Sequence, residues 1–297
     1  MTQHHPLARR TVVITGAASG IGRALAQELA GRGCPVALAD VDEVGLAETA
    51  RTLRTPTLVE RLDVREPAQV ADFAAKVRAW APSELGACFN NAGVAVNNTV
   101  ADGNPADDQW LHDINFHGVV HGTRAFLPLL LEQGSGAVVN TSSVYGLLAV
   151  PFHSAYCASK FAVRGFTESL HQELAGTGVR AVTVHPGGVK TNIAHNARVG
   201  AEVLGEDRTS DQMAQEFDAT AMTTPERAAR TIVRGVERGR SRVLVGPDAV
   251  LIDVLTRVTP TRAAGLIGML ERRLSGSATP ATKGLTGSTA ATATVSA

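Results

Sequence analysis

The chain has 297 residues, and its 28 lysines and arginines balance 28 aspartates and glutamates, so the formal net charge is zero. Nucleic-acid binding is not expected, because it usually needs a basic excess and stacking aromatics, and aromatic residues make up only 4% of this chain. Three scattered cysteines are too few for a disulfide framework. The chain shows neither a signal-peptide pattern nor an apolar run of about 18 residues, so a cytoplasmic protein without a membrane span is predicted.

Short apolar strands alternate with amphipathic helices along the chain. The predicted strands are rich in valine and other apolar residues and cover 11–15, 36–39, 58–62, 85–89, 136–141, 179–184 and 243–245. The predicted helices carry apolar residues spaced along one face and cover 21–32, 44–53, 67–80, 105–131, 153–175 and 224–237. Two further amphipathic stretches follow at 248–258 and 261–274, whereas segment 190–223 is polar and weakly patterned.

This alternation predicts an α/β fold, a doubly wound parallel sheet of the Rossmann type with helices on both faces. Residues 1–246 are expected to form a single Rossmann-type domain, in which the long segment 190–223 acts as a lid. Residues 247–274 are expected to form a C-terminal helical extension that enlarges the substrate pocket, covers a subunit contact or lies on a membrane surface. Residues 275–297, dominated by Ser, Thr, Ala and Gly, are predicted to be a disordered tail.

A glycine-rich turn follows the first strand and opens the first helix. Gly16, Ser19, Gly20, Ile21 and Gly22 belong to this turn. Glycines let the backbone approach a pyrophosphate closely, and the N-terminus of the helix supplies free N–H groups and a favourable dipole. The alternative interpretation is a tight turn that binds no ligand.

Asp40 ends the second predicted strand, 24 residues after Gly16. A carboxylate at this place accepts both hydroxyls of an adenosine ribose and repels a 2′-phosphate. Ser19 and Val41, where a phosphate-binding cation would otherwise stand, are uncharged. These residues favour NAD over NADP, while the alternative for Asp40 alone is a helix cap.

Tyr156 and Lys160 stand four residues apart on a predicted helix, so the phenol and the ammonium point the same way. A nearby cation favours the phenolate and lowers the pKa of a tyrosine, which makes the phenol a usable acid or base. Ser143 ends the strand before this helix, where its hydroxyl would hold a substrate oxygen. The alternatives are a surface pair and a polar strand end.

Six motifs in chain order resemble those of the short-chain dehydrogenase/reductase family, in its branch with a single compact domain. The match runs from about residue 11 to residue 245. The motifs are the TGxxxGxG turn at 15–22, Asp63-Val64, Asn90-Asn91-Ala92-Gly93, the helix residue Asn115, the set Ser143, Tyr156 and Lys160, and the PGxxxT segment 186–191. The resemblance makes 1–246 a catalytic domain and implies a homodimer or homotetramer.

The family's reaction is hydride transfer between a nicotinamide coenzyme, here NAD(H), and the carbinol or carbonyl carbon of a secondary alcohol or ketone. The resemblance implies that Tyr156 is the general acid/base and that Ser143 holds the substrate oxygen. It also implies that Lys160 binds the nicotinamide ribose and depresses the tyrosine pKa, and that Asn115 positions a water linking Lys160 to solvent. The expected coenzyme-binding residues are Gly16, Ser19, Gly20, Ile21, Gly22, Asp40, Asp63, Val64, Asn91, Ala92, Gly93, Tyr156, Lys160, Pro186, Gly187, Val189 and Thr191.

Apolar residues flank these motifs and indicate a pocket for a lipophilic small molecule, although ordinary core packing produces the same pattern. The pocket candidates are Val94, Val144, Tyr145, Val150, Phe152 and Ile193. No metal site is expected, because His117 and His121 have the spacing for one but lack a third ligand nearby. The alternative function is a catalytically silent NAD-binding sensor or scaffold of the same fold, against which the intact catalytic set argues.

Overall fold

A computed structural model describes residues 7–204, 209–263 and 265 of the chain. Its centre is a seven-stranded parallel sheet, which confirms the predicted α/β class and the doubly wound Rossmann architecture. The strands of this sheet are β1 (Thr11–Thr15), β2 (Val36–Asp40), β3 (Thr57–Arg61), β4 (Leu85–Asn90), β6 (Gly136–Thr141), β7 (Val179–Pro186) and β9 (Arg242–Val245). Two short strands, β5 (Val96–Asn97) and β8 (Arg198–Val199), form a separate parallel pair.

Helices cover both faces of the sheet. Those of the described residues are α1 (Gly20–Ala30), α2 (Glu43–Arg51), α3 (Pro67–Trp80), α4 (Pro105–His112), α5 (Gly118–Gln133), α6 (Ser154–Glu173), α7 (Ala201–Leu204), α8 (Ser210–Thr220), α9 (Pro225–Glu237) and α10 (Pro247–Val258). A π-helical turn, Asp113–His117, joins α4 to α5, and a 3-10 turn, Val144–Gly146, follows β6. Helices α1, α2 and α9 pack on one face, and α3, α5 and α6 pack on the other.

The alternation of side chains along β1 shows why this segment is a central strand. Val12 and Ile14 pack in the apolar cluster that contains α1 and α9, whereas Val13 packs in the opposite cluster with α3 and α5. All three are fully buried. Successive side chains of a strand point to opposite faces, so an unbroken β-branched run can be buried only between two helical layers.

The order of the strands places a ligand site at one edge of the sheet. The order is β3-β2-β1-β4-β6-β7-β9, so the chain proceeds outward from β1 to β3 and then returns to the other side of β1 with β4. This reversal creates a crevice between the carboxyl ends of β1 and β4, where open α/β sheets bind their ligands. The glycine turn and the catalytic candidates follow strands that end at this edge.

The single helix predicted over 105–131 is wrong in one respect, because a π turn interrupts it at Asp113–His117. Hydrophobic spacing does not reveal one inserted residue, since the apolar face simply shifts by a fraction of a turn. Asn115 lies in this turn and is fully buried. Turns of this kind are frequent at functional sites.

The segment predicted as a weakly patterned lid, 190–223, contains β8, α7 and α8 among its described residues. Helix α8 begins with a capping box in which Thr209 and Gln212 bond each other's backbone. The sequence did not predict this helix, because the segment has too few apolar residues to show a helical period. Strand β8 pairs with β5 and so ties the segment to the chain after β4.

Helix α10 coincides with the predicted helix over 248–258. Most of the second predicted helix, 261–274, and the whole of the predicted tail, 275–297, lie outside the described residues. Within the described ranges, no helix combines the length and the apolar character needed to cross a bilayer.

Candidate active site

The turn after β1 leaves room for a pyrophosphate at the start of α1. Gly16 has a left-handed φ of 67°, and a Cβ there would lie 2.7 Å from the Cα of Ala92. A Cβ on Gly22 would overlap the carbonyl oxygen of Gly16, so glycine is required at both positions. Helix α1 starts at Gly20, and the Ser19 side chain makes no capping hydrogen bond. The free amides at the start of α1 and the glycine backbone of the turn can bind the diphosphate of a dinucleotide.

Asp40 ends β2 beside this turn. Its Oδ2 accepts a hydrogen bond from the Ala18 amide at 2.9 Å, and its Oδ1 accepts one from the Asp42 amide at 3.1 Å. These two bonds fix the carboxylate at the rim of the turn. Each oxygen keeps a further lone pair, so the carboxylate can still accept the hydroxyls of a ribose.

A cleft of about 370 Å³ opens next to the end of β2 and is lined by Ala18, Ser19, Gly20, Arg23, Asp42, Val44, Gly45, Glu48 and Asn192. Arg23 is a cation in this cleft that the sequence interpretation, based on Ser19 and Val41, missed. Its guanidinium already donates to a backbone carbonyl at 3.0 Å and to Glu48 at 3.0 Å. Because Asp42 and Glu48 both carry negative charge here, the cleft as a whole is acidic.

The segment after β4 lies against the glycine turn. The hydroxyl of Thr15 accepts the amides of Asn91 at 3.0 Å and Ala92 at 3.2 Å, and the Asn91 side chain donates to the Thr15 carbonyl at 3.2 Å. Gly93 follows, where a Cβ would lie 3.4 Å from Nζ of Lys160. This segment therefore joins the glycine turn to the catalytic candidates. The holding role of Thr15 was not predicted.

Asp63 and Val64 follow β3 near the same edge. The Asp63 carboxylate forms an ion pair with Arg65, whose hydrogen bond lowers the pKa of Asp63. The Val64 carbonyl lies 3.0 Å from Nδ1 of His121. The contact of His121 is thus with the backbone, and stacking brings its ring centroid to 6.4 Å from that of His117. Over the described part of the chain, no group of three side chains is arranged to hold a metal.

Tyr156 and Ser143 meet at the carboxyl edge of β6. Tyr156 lies in the first turn of α6, and its phenol is hydrogen-bonded to the Ser143 side chain. The Ser143 hydroxyl also accepts the Tyr145 amide at 3.1 Å, which caps the 3-10 turn and fixes the serine side chain. Burial raises the pKa of Tyr156 to about 12, and the hydrogen bond with Ser143 opposes this shift.

Lys160 lies one turn along α6 from Tyr156 and is 3% exposed. Its Nζ donates to the Thr141 carbonyl at 3.1 Å and lies 5.5 Å from the centroid of the Tyr156 ring. Burial lowers the pKa of Lys160 to about 8. Burial raises the tyrosine pKa in this structure, and its depression by Lys160 stays a prediction for the site with coenzyme bound.

Asn115 anchors the π turn to the segment after β4. Its Oδ1 accepts the Val94 amide at 2.8 Å, and its Nδ2 donates to the Val94 carbonyl at 2.9 Å and to the Ser159 hydroxyl at 3.3 Å. A Cβ on Gly93 would lie 3.2 Å from Oδ1 of Asn115 and 3.4 Å from Nζ of Lys160. The side chains of Asn115 and Lys160 therefore border the same small space.

The PGxxxT loop after β7 is held between two other parts of the chain. The Gly188 carbonyl accepts the Thr223 amide at 3.1 Å, and the Gly188 amide donates to Asp248 at 2.6 Å. Val189 pairs with Thr223 as an isolated bridge. A Cβ on Gly20 would lie 3.1 Å from the Thr191 methyl, so the end of this loop touches the glycine turn. Pro186, Gly187, Val189 and Thr191 thus lie at the same edge as the other coenzyme candidates.

The apolar pocket candidates divide into two groups. Val94 packs in one cluster with Tyr156, and the Tyr145 ring stands edge-on to the Tyr156 ring at 6.0 Å. Val150 packs instead in a cluster with Ala263, behind the loop that follows Ser143. Of the remaining candidates, Val144 is buried, Phe152 is exposed and Ile193 is half-buried. Of these pocket candidates, Tyr145 is in ring contact with Tyr156, and Val94 packs against the same apolar cluster as Tyr156.

Two histidines border the site without being required by the motif pattern. The His153 ring stands edge-on to Tyr145 at 5.3 Å, so it extends the aromatic wall. His185 is fully buried on β7, and its Nδ1 lies 2.9 Å from the Ser143 carbonyl. Burial lowers the pKa of His185 to about 4, so a neutral ring donates this bond. Its contact with Ser143 joins residues 42 positions apart and has no sequence signal.

Known proteins are similar to this chain in sequence and in fold. Residues 10–202 match the family model described as short chain dehydrogenase. A Mycobacterium tuberculosis protein named SadH is 47% identical over 255 residues, which cover 84% of this chain and 90% of that protein. A ketoacyl reductase of Nostoc named HetN is 29% identical over 265 residues, covering 86% and 87% of the two chains.

A solved structure is similar over most of its length. It is a short chain dehydrogenase/reductase from Burkholderia phymatum in complex with NAD, with a TM-score of 0.75, 33% identity and coverage of 84% of this chain and 94% of that chain. The family model covers strands β1 to β7, and the SadH relative is 47% identical over 84% of this chain. The chain therefore belongs to the short-chain dehydrogenase/reductase family of oxidoreductases.

Proposed function

We propose that this protein transfers a hydride between NAD(H) and the carbinol or carbonyl carbon of a secondary alcohol or ketone. The observation that carries this proposal is the approach of the Tyr156 phenol to the Ser143 side chain beside the buried ammonium of Lys160. One hydroxyl fixed by a capped turn orients a substrate oxygen, and a phenol next to it transfers the proton.

NAD, when bound, supplies the hydride acceptor or donor. The chain's own residues fit its parts in turn. The glycine turn would hold the diphosphate, Asp40 the adenosine ribose, Lys160 the nicotinamide ribose and the PGxxxT loop the nicotinamide. From Asp40 through the glycine turn and Lys160 to the PGxxxT loop, these positions follow the carboxyl edge of the sheet from β2 to β7.

The phenol of Tyr156 gives its proton to a carbonyl oxygen in reduction and takes a hydroxyl proton in oxidation. With a pKa of about 12, the phenol is protonated at neutral pH and poised as an acid. A positive charge placed beside it in the assembled site lowers that pKa and favours the reverse direction. The buried ammonium of Lys160 is fixed next to the phenol ring and supplies part of this charge.

The charge around the adenosine end supports NAD over NADP. Asp42 and Glu48 line the cleft at the end of β2, and the guanidinium of Arg23 is paired with Glu48. The Asp40 carboxylate accepts the amides of Ala18 and Asp42, two residues of this lining. A 2′-phosphate would enter an acidic cleft and lose water without gaining a free cation. The similar protein from Burkholderia phymatum was solved with NAD.

A lipophilic substrate is supported by the surroundings of the phenol. Val94 and Tyr156 pack against the same apolar cluster, and the rings of Tyr145 and His153 extend the aromatic surface edge to edge. Such a wall offers apolar area and few hydrogen bonds, so it suits an alkyl or aryl ketone better than a polyol. The name of the similar Nostoc protein, a ketoacyl reductase, also denotes a ketone substrate.

The test of this proposal is Tyr156→Phe, which removes only the phenol oxygen. We expect kcat to fall about 10²–10⁴-fold, the range that a positioned acid or base contributes. NADH formation from a panel of secondary alcohols, and NADH consumption with the matching ketones, are followed by absorbance.

NAD binding to Tyr156→Phe serves as the control, because a folded variant should keep its coenzyme affinity. Unchanged turnover in the variant would contradict the assigned acid/base. A wild-type protein that binds NAD but converts no member of the panel would instead support a coenzyme-sensing or scaffold function.

A further inference from the structure

Helix α10 reaches the candidate nicotinamide site through one carboxylate. Asp248 lies in the first turn of α10, and its Oδ2 accepts the Gly188 amide at 2.6 Å. A bond this short between an amide and a charged oxygen is among the stronger hydrogen bonds in proteins. The two residues are 60 positions apart, so the bond joins the C-terminal extension to the PGxxxT loop.

Two glycines make the space that Asp248 occupies. A Cβ on Gly187 or on Gly246 would overlap the Asp248 carboxylate. Gly246 also has a left-handed φ of 102°, which aims the chain from β9 back toward the loop. The carboxylate is therefore enclosed by backbone on two sides rather than directed at water.

The other oxygen of Asp248 has no hydrogen-bond partner among the residues that the structure describes. This atom, Oδ1, is buried. A buried carboxylate oxygen left unpaired costs free energy, so a side chain kept only to begin a helix would be directed outward to water. This buried geometry indicates that the Asp248 carboxylate has a role at the PGxxxT loop besides starting the helix.

The Gly188 peptide is fixed from both directions. Its amide donates to Asp248, and its carbonyl accepts the Thr223 amide at 3.1 Å. Thr223 also accepts the Lys190 amide through its carbonyl at 3.0 Å. One side of this clamp comes from the end of segment 190–223, and the other comes from α10.

The same helix supports the loop on the substrate side. Ile252 and Leu255 of α10 pack in one apolar cluster with Leu148 and Val150, which follow Ser143 along the chain. Helix α10 thus contacts the loop after Ser143 with its apolar face and the PGxxxT loop with its first carboxylate. These two loops would flank the substrate and the nicotinamide.

We propose that α10 is a brace for the active site and that Asp248 is a positioning residue for the nicotinamide end of the coenzyme. This inference rests on the proposed function for the identity of the ligand. This role for the C-terminal extension differs from the three predicted from the sequence, namely enlarging the substrate pocket, covering a subunit contact and lying on a membrane surface. It predicts different effects at the two ends of NAD, because the Asp248 carboxylate is hydrogen-bonded to the loop at the nicotinamide end.

The experiment compares NAD with ADP-ribose, which has the adenosine and diphosphate parts but lacks nicotinamide. Asp248→Ala should weaken NAD binding about tenfold, the usual effect of losing a hydrogen bond to a charged group. ADP-ribose binding should stay within about twofold, because the glycine turn is unchanged. Asp248→Asn keeps an acceptor oxygen and should restore most NAD affinity. Val254→Ala, on the exposed side of α10, is the matched control.

Amide hydrogen exchange tests the clamp without any ligand. Peptides spanning 186–191 should exchange faster in Asp248→Ala than in the wild type or in Val254→Ala. If Asp248→Ala does not fold, Asp248→Ser, which shortens the side chain, takes its place in both measurements.

Equal weakening of NAD and ADP-ribose, or unchanged exchange over 186–191, would overturn the positioning role. These outcomes are distinct from failure of the proposed function, which is read from wild-type turnover and from Tyr156→Phe. A protein that converts alcohols normally while Asp248→Ala keeps full NAD affinity contradicts the brace alone.

Discussion

Lys160 is the residue whose burial is hardest to reconcile with stability alone. It is 3% exposed, and burial lowers its pKa to about 8, so the folded chain holds its proton less tightly than the unfolded chain does. The unfolded chain therefore binds more protons between the folded pKa and the ordinary lysine value of 10.5. Over that window, stability rises with pH and falls as pH drops.

We predict that Lys160→Met abolishes this pH dependence while also lowering turnover. The variant should gain stability over the wild type near pH 8, and the gain should shrink as pH rises toward the ordinary lysine pKa. Urea unfolding across this pH range measures the difference. Lys76→Met is the control, since Lys76 pairs with Glu60 at the surface. A constant difference between Lys160→Met and the wild type would contradict the lowered pKa.

A second prediction concerns Asp40. Asp40→Asn keeps the shape of the side chain and removes the charge that would repel a 2′-phosphate. The ratio of kcat/KM for NADP to that for NAD should rise by about tenfold or more, from a wild-type value well below one. Asp72→Asn, on the exposed side of α3, controls for charge alone. Equal efficiency of the two coenzymes in the wild-type enzyme would refute the proposed preference.

At the scale of elements, strand β8 ties segment 190–223 to the rest of the molecule. Beyond its pairing with β5, it carries Arg198, whose guanidinium carbon lies 3.6 Å from the centroid of the Trp110 ring. The same guanidinium forms an ion pair with Asp107 at 2.6 Å. Both partners belong to α4, so one side chain fastens the proposed lid to a helix.

We predict that Arg198→Ala loosens the lid and raises the substrate KM about 3–10-fold, in line with the energy of one cation–π contact. Arg198→Lys keeps the charge but loses the planar stack, so its KM should be intermediate. Steady-state kinetics with the best alcohol from the panel provide the measurement. Arg257→Ala removes a comparable exposed ion pair on α10 and should leave KM unchanged. Wild-type KM in Arg198→Ala would rule out this fastening.

The sequence predicted those elements whose signal is local. Strand β1 is a β-branched run between two layers, and α6 carries Tyr156 and Lys160 at helical spacing, so both have a period or a composition to detect. The π turn at Asp113–His117 has neither, because a single inserted residue leaves the apolar pattern nearly intact. The links from His185 to Ser143 and from Asp248 to Gly188 are tertiary and leave no trace in spacing.

Across the whole molecule, the sheet separates two apolar layers that contribute unequally to the site. The layer of α3, α5 and α6 contains Phe73 and Phe126, whose rings meet edge-on at 5.9 Å. Neither ring is among the residues that border the candidate site. The side chains that stabilise the core are thus partly different from those that form the candidate active site.

We predict that Phe126→Ala destabilises the protein by about 3–5 kcal/mol, the cost of a large cavity in a close-packed core. Activity per folded molecule should change little at low temperature. Urea unfolding and turnover on the same preparation make the comparison, with Val100→Ala, which alters an 86% exposed side chain, as the control. Proportional loss of activity in the folded variant would show that the core and the site are coupled.

The space around Asp248 has an evolutionary consequence. Gly187, Gly246 and Asp248 occupy one volume, so no member of the trio can change freely on its own. A lineage that gains a side chain at Gly187 must shorten the acid, and a lineage that loses the acid becomes free to fill that position, whereas the left-handed φ of Gly246 disfavours a side chain in either case. Positions 187 and 248 are therefore expected to covary among homologous chains, which would mark the relatives that attach α10 in this way.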